Sequence, residues 1–181
     1  MMKFTPTKIP DVILVEPHVH EDHRGFFFES YREDFFSQHG ISIKFVQDNH
    51  SRSQKGVLRG LHFQIAPKEQ AKLVRVIRGE VFDVAVDIRR GSKTYGQYIS
   101  EFLSEKNKKM LFVPPGFAHG YLVLQDGTEF VYKCSAVYSP EHEQGVLWND
   151  PDIGIPWPKL DVIYQLSQKD ERNPLLRNNP W

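Results

Sequence analysis

Between residues 43 and 147 the apolar positions fall in short runs, many alternating with polar ones, and turn-forming clusters separate the runs. The runs read IKFVQDN, GVLRGLHFQ, KLVRVI, VFDVAVDI, TYGQYISEFL, MLFVPP, YLVLQDGTEFVYK and GVLWND. Successive side chains of a strand point to opposite faces. VFDVAVDI therefore puts Phe82, Val84, Val86 and Ile88 on one face, read as core, and Val81, Asp83, Ala85 and Asp87 on the other, which carries polar groups. Turn chemistry lies between runs at Arg78-Gly79, Arg90-Gly91-Ser92 and Gln125-Asp126-Gly127. Closely spaced short strands of this kind predict an all-β barrel or sandwich. Little helix is expected. REDFFSQHG, residues 32–40, predicts one short helix closed by Gly40, and the proline-rich stretch after Asn149 predicts an irregular tail over the barrel. A chain of 181 residues holds one domain with a sizeable core, read as 1–181, and is short for two.

Charge and composition narrow the functional classes. Lys plus Arg equals Asp plus Glu at 23 each, so no polyanion-binding surface is expected and nucleic acid is set aside as a partner. No apolar run approaches the roughly 18 residues of a membrane span, and no charged-then-apolar leader opens the sequence. The expectation is a cytoplasmic protein without membrane contact. Cys134 is the only cysteine, which excludes an internal disulfide, and its place in FVYKCSAVY predicts a buried strand thiol and not a nucleophile. Near-zero charge with 13% aromatic residues leaves room for apolar surface that self-association would bury, so a homodimer is expected.

The same strand parity picks out candidate chemistry. In KLVRVI, Lys72 shares a face with Val74 and Val76, which directs its amine inward. In FVYKCSAVY, Tyr132 and Tyr138 share parity with Phe130, Cys134 and Ala136, and on one extended strand they would stand roughly 20 Å apart, suited to a long ligand. His62 lies on a barrel strand. Taken singly, each has an ordinary structural reading: a hydrogen-bonded histidine, half of a buried ion pair, a core tyrosine with a partner for its hydroxyl. Together, base, cation and phenols along one cavity are the set needed to remove a proton beside a carbonyl and return one on the other face.

Two segments resemble the paired motifs of the cupin family. Pro114-Pro115-Gly116-Phe117-Ala118-His119 fits P-x-G-x-x-H, and Gly56 stands six residues before His62, with Gly79 closing the following hairpin. The metal-ligating H-x-H is replaced by His62-Phe63-Gln64. A catalytic zinc or iron site usually takes three protein ligands, and only His62 and His119 remain, so no metal and no other cofactor is expected.

Longer stretches, DHRGFFFES, FVQDNHSRS, GVLRGLHFQ, KLVRVIRGEVFDVAVDIRRGS, PPGFAHGYLVL, WNDPDIGIPWP and LSQKD, resemble in order the dTDP-4-dehydrorhamnose 3,5-epimerase family over nearly the whole chain. The resemblance implies a metal-free cupin-type jelly-roll barrel, with a few short helices, that acts on dTDP-4-dehydro-6-deoxy-D-glucose. By matching position it implies that His62 is the general base oriented by Asp170, with Asp83 a second candidate to steady it. Lys72, with His119 nearby, would stabilise the enolate, and Tyr132 would return the proton. Arg24, Glu29, Gln47, Asn49, Arg59, Glu143 and Lys169 would hold the nucleotide and diphosphate, and Tyr138 would stack on thymine. Arg24 to Glu29 would reach a neighbouring subunit's site. Arg59 and His62 have opposite parity, so a bulge at Gly60 is expected to aim both into one pocket. Two other readings remain open: an epimerase of one carbon only, and a non-catalytic sugar-nucleotide binder.

Overall fold

The computed structural model describes residues 2–179. Its strands form two facing sheets. The larger runs in the order β1 (Lys3–Pro6), β2 (Ile13–Glu16), β10 (Met110–Val113), β7 (Lys72–Arg78), β12 (Thr128–Cys134) and β5 (Gln47–Ser53). The smaller runs β13 (Glu143–Gly145), β6 (Leu58–Gln64), β11 (Phe117–Val123), β8 (Glu80–Asp87) and β9 (Tyr98–Ser104). A separate hairpin joins β3 (His20–Asp22) to β4 (Gly25–Phe27). Neighbouring strands pair antiparallel throughout, and the architecture is the expected all-β jelly roll.

Three apolar clusters follow from strand parity. Between the sheets lie Val74, Val76, Val81, Ala85, Leu111, Phe117, Tyr121 and Phe130. Outside the smaller sheet, Leu58, Leu61, Phe63, Phe82, Val84, Val86 and Ile88 pack under the C-terminal tail through Ile153, Trp157 and Leu176. Outside the larger sheet, Leu73, Met110 and Phe112 pack against Phe36 of α1 (Glu33–Gln38). Phe36 and Phe130 are almost fully buried, and truncating either to Ala would cost about 3–5 kcal/mol. Both faces of β8 are therefore buried, whereas the pattern suggested one core face. The face carrying Asp83 is the barrel interior, which a soluble barrel can line with polar groups only where they serve one another or a ligand.

Helix α1 falls inside the expected 32–40 and ends as its carbonyls are taken by the N–H groups of His39 and Gly40. The tail is irregular apart from α2 (Gln168–Glu171) and one 3-10 turn (Leu176–Asn178). The strands extend beyond the predicted region, and two local expectations are corrected. The four strands before residue 43 carry no clean alternation, and β1 and β2 form by adding to the edge of the larger sheet at β10. GVLWND gives a strand only at Gly145: Val146 still exchanges backbone hydrogen bonds with Leu61, and the chain then turns to the tail, where the Leu147 N–H donates to the Pro174 carbonyl. Phe45 and Val46 precede β5 and are not part of it.

Candidate active site

β6 carries an irregularity within three residues. Its register on β11 pairs Tyr121 with Arg59 and His119 with His62, so one extra residue is accommodated between them at Gly60. Leu58, Leu61 and Phe63 all pack on the outer face. The irregularity falls where the sequence expected it, but only His62 lines the cavity; Arg59 is exposed and reaches Ser53 instead. Gly60 has φ +128, and a Cβ there would lie 2.6 Å from Gly120 Cα and 2.9 Å from the His119 carbonyl oxygen, so only glycine fits.

His62 faces a cavity of about 320 Å³ between the sheets, lined also by Gln47, Asn49, Lys72, Tyr132, Tyr138 and Glu143. Its Nε2 donates to Asp170 Oδ1 at 2.6 Å. Asp170 comes from α2, whose first turn is capped by Ser167 accepting the Asp170 N–H at 3.1 Å. Burial pushes the Asp170 carboxyl up, but the hydrogen bond from His62, its charge and the Gly60 N–H outweigh it and hold the group below the ordinary carboxylate value. With Nε2 committed, Nδ1 is the nitrogen left to take a proton.

Lys72 and Tyr132 enter from the larger sheet. Burial drives the Lys72 ammonium below its usual value, partly offset by Cys134, Glu143 and Asp83, and among the described residues no acidic side chain pairs with it directly. Tyr132 is pushed up to about 12, mainly by burial, so it holds its proton at neutral pH. His119 is buried beside this region and donates from Nε2 to both oxygens of Asp83, at 2.9 and 3.0 Å. Asp83 thus steadies His119 and not His62, because its strand is β11's neighbour and not β6's.

At the rim, the Glu143 carboxylate accepts from the Tyr138 hydroxyl at 2.7 Å and from Lys169 Nζ. Burial raises the Glu143 carboxyl, yet these two donors bring it below its usual value. Gln47 Nε2 donates to Asn49 Oδ1 at 3.0 Å, and Arg59 reaches Ser53 Oγ at 3.2 Å. Tyr138 does not continue the Tyr132 strand as expected; β12 stops at Cys134 and the ring stands half exposed beyond a bend. Arg24 and Glu29 are not brought to this cavity. They are exposed on and after the hairpin, bonded to Asp22 at 2.6 Å and Arg32 at 3.3 Å.

Sequence reasoning passed over Gln64 and Gln70, which also line the cavity. Gln64 was weighed only as a missing metal ligand. Its Nε2 donates to the carbonyls of Lys68 and Val137, and its Oε1 accepts from Ser139. No group of three histidine, cysteine or acidic side chains placed to hold a metal ion occurs among the described residues.

A jelly roll whose interior sets a carboxylate-held imidazole on one sheet against an amine and a phenol on the other defines an isomerase that works by proton transfer. The family model described as dTDP-4-dehydrorhamnose 3,5-epimerase matches residues 6–178. The chain belongs to that family. An enzyme of that name from Pseudomonas aeruginosa is 55% identical over 172 residues, 94% of each chain. One from Methanothermobacter thermautotrophicus is 50% identical over 180 residues, 98% of this chain and 96% of the other. The crystal structure of a Legionella pneumophila 3,5-epimerase in complex with dTDP-4-keto-L-rhamnose superposes with a TM-score of 0.95 at 47% identity, covering 98% of this chain and 94% of that one.

Proposed function

We propose that the chain converts dTDP-4-dehydro-6-deoxy-D-glucose to dTDP-4-dehydro-L-rhamnose by inverting C3 and C5, each through an enolate. The observation that carries this is the division of labour between the sheets: His62 lies on the smaller, Lys72 and Tyr132 on the larger, and one cavity separates them. A sugar lying between the sheets offers one face to the base and the other to the phenol. Removal on one face and return on the other is inversion.

His62 Nδ1 takes the proton, Asp170 holds the ring and stabilises the imidazolium, and the electron pair moves onto the ketone oxygen. Lys72, aided by His119, donates to that oxygen as its charge grows. A carbon acid beside a ketone is many units weaker than imidazolium, at about 1.4 kcal/mol per unit, so this stabilisation carries most of the barrier reduction. Tyr132 then gives its proton to carbon. Gln47, Asn49, Arg59, Glu143 and Lys169 hold the nucleotide and diphosphate, and Tyr138 stacks on thymine. No metal or redox group is required by these steps.

The active form is a homodimer in the cytoplasm. What supports the dimer is the hairpin: Phe26 and Phe27 are 60% and 67% exposed on an element outside both sheets, beside Arg24 and Glu29, which have no role at their own chain's cavity. A single thiol suits a reducing compartment. Arg24 and Glu29 then serve the partner's site, and mixing Arg24→Ala chains with His62→Ala chains should restore part of the activity that neither has alone. The decisive experiment is turnover of the 4-keto sugar nucleotide in heavy water after exhaustive chelation. Deuterium at both C3 and C5 at an undiminished rate is expected. Label at one carbon would make this a single-site epimerase, and loss of activity rescued by zinc or iron would end the metal-free reading.

A further inference from the structure

Just past β12 the chain leaves the sheet, and side chains take over the work of a ladder. Ser135 N–H makes the last strand-like bond, to the Ala71 carbonyl. The next four residues are held by three glutamines. Gln70 Nε2 donates to the Ala136 carbonyl at 2.7 Å, and Gln64 Nε2 donates to the Val137 carbonyl at 3.3 Å. Gln47 Oε1 accepts from Tyr138 N–H at 2.8 Å, and Gln64 Oε1 accepts from Ser139 N–H at 2.8 Å. All three line the cavity.

Gln64 is the centre of this clasp. It is only 5% exposed, and its amide also donates to the Lys68 carbonyl at 2.6 Å, so both donors and the acceptor are used. Only an amide serves here: a carboxylate has no donor for the two carbonyls, and an imidazole has too few sites. The residue stands two places beyond His62 on β6, so it ties the strand that carries the base to the segment that carries Tyr138. Without the clasp, a half-exposed coil bearing a large ring would sample many positions, and a ligand would have to bear the cost of ordering it.

We propose that Gln64 is a positioning residue for nucleotide binding, which, with Gln47 and Gln70, fixes residues 136–139 so that the Tyr138 ring is preset to stack on the base. This rests on the reading that Tyr138 meets the base, and the test separates the two. Tyr138→Ala alone should weaken dTDP binding measured by calorimetry. Unchanged affinity there would remove the stacking reading, and the purpose of the clasp with it. Gln64→Leu should raise KM for the nucleotide sugar and Kd for dTDP about tenfold while kcat stays within about threefold, because the lost interaction orders a binding element and not the transition state. Amide exchange at Ser139 should quicken in the same variant.

In the Tyr138→Ala background, Gln64→Leu should add little. Full additivity, with Tyr138→Ala weakening binding by itself, would overturn the clasp while leaving the stacking intact. So would a fall in kcat at constant KM, which would make Gln64 a support for His62. Should Gln64→Leu not fold, Gln70→Leu, which removes one bond to the same segment, must shift KM in the same direction, and an unchanged KM would overturn the proposal.

Discussion

Two histidine–carboxylate pairs stand side by side in the barrel, and their rings are cross-strand neighbours, His119 opposite His62. In the first, His119 and Asp83 come from adjacent strands and are 6% and 0% exposed. In the second, His62 is 28% exposed, and its Asp170 arrives from the end of the tail, 108 residues along the chain. The sheet alone builds the first pair, which is buried. The second needs the tail to close over the barrel, and it leaves one ring nitrogen toward the cavity. On the function proposed above, the same chemical pair is a fixed donor in one setting and a proton acceptor in the other.

The largest expected effect breaks the pairs apart. His62→Ala should lower exchange of both protons by about 10,000-fold, the upper range for general-base loss, with dTDP affinity nearly unchanged. His119→Ala should cost about 100-fold in kcat, the scale for one donor to a developing oxyanion. Deuterium incorporation followed by NMR ranks the two. Retained exchange in His62→Ala with none in His119→Ala would exchange their roles.

Both histidines lie on the smaller sheet, so the proposed mechanism takes the proton for the other face from the larger one. Tyr132→Phe should cut inversion by roughly 100- to 10,000-fold while abstraction continues. The enolate would be reprotonated by the imidazolium that formed it, so deuterium enters with the original configuration kept. Wild-type inversion rates in this variant would require a different acid.

The contrast between the pairs also marks what could be read from residue order. Strand parity placed Lys72 and Tyr132 inside the barrel, because β7 and β12 hold a period of two around them, but it put Asp83 on the face opposite the one read as core, and that face is the barrel interior. It also exposed the conflict between Arg59 and His62, and the Gly60 irregularity falls between them. Parity failed where strands end: Tyr138 was assigned to a strand that stops four residues earlier, since bonds from Gln47, Gln64 and Gln70 to that segment leave no periodic signal. The Asp83–His119 partnership depends on strand order, which local pattern does not encode. Asp170 was placed only through the family resemblance, because nothing in LSQKD by itself points across the molecule to residue 62.

The smallest effect is on stability, and it sharpens the comparison because the two carboxylates shift in opposite directions. Asp170 is held below the ordinary value, despite its burial, by His62 and neighbouring donors. Its contribution is fully present above the unfolded value of about 4 and is lost as pH falls through the lower folded value. Asp83 is raised by its burial, which outweighs the charges of His119 and Lys72. Its ionised form costs stability at neutral pH, and acidification through the raised value relieves that cost. Thermal melts of Asp170→Asn and Asp83→Asn beside the unmodified chain, from pH 7 to pH 3, should therefore diverge. The deficit of Asp170→Asn should be largest near neutrality and shrink below about pH 4, where the unmodified chain loses what the carboxylate supplied. The Tm of Asp83→Asn relative to the unmodified chain should instead fall as pH drops, since only the unmodified chain gains by taking up a proton there. Parallel slopes for the two variants would mean that burial and pairing act alike at both sites, and that exposure does not distinguish the two pairs.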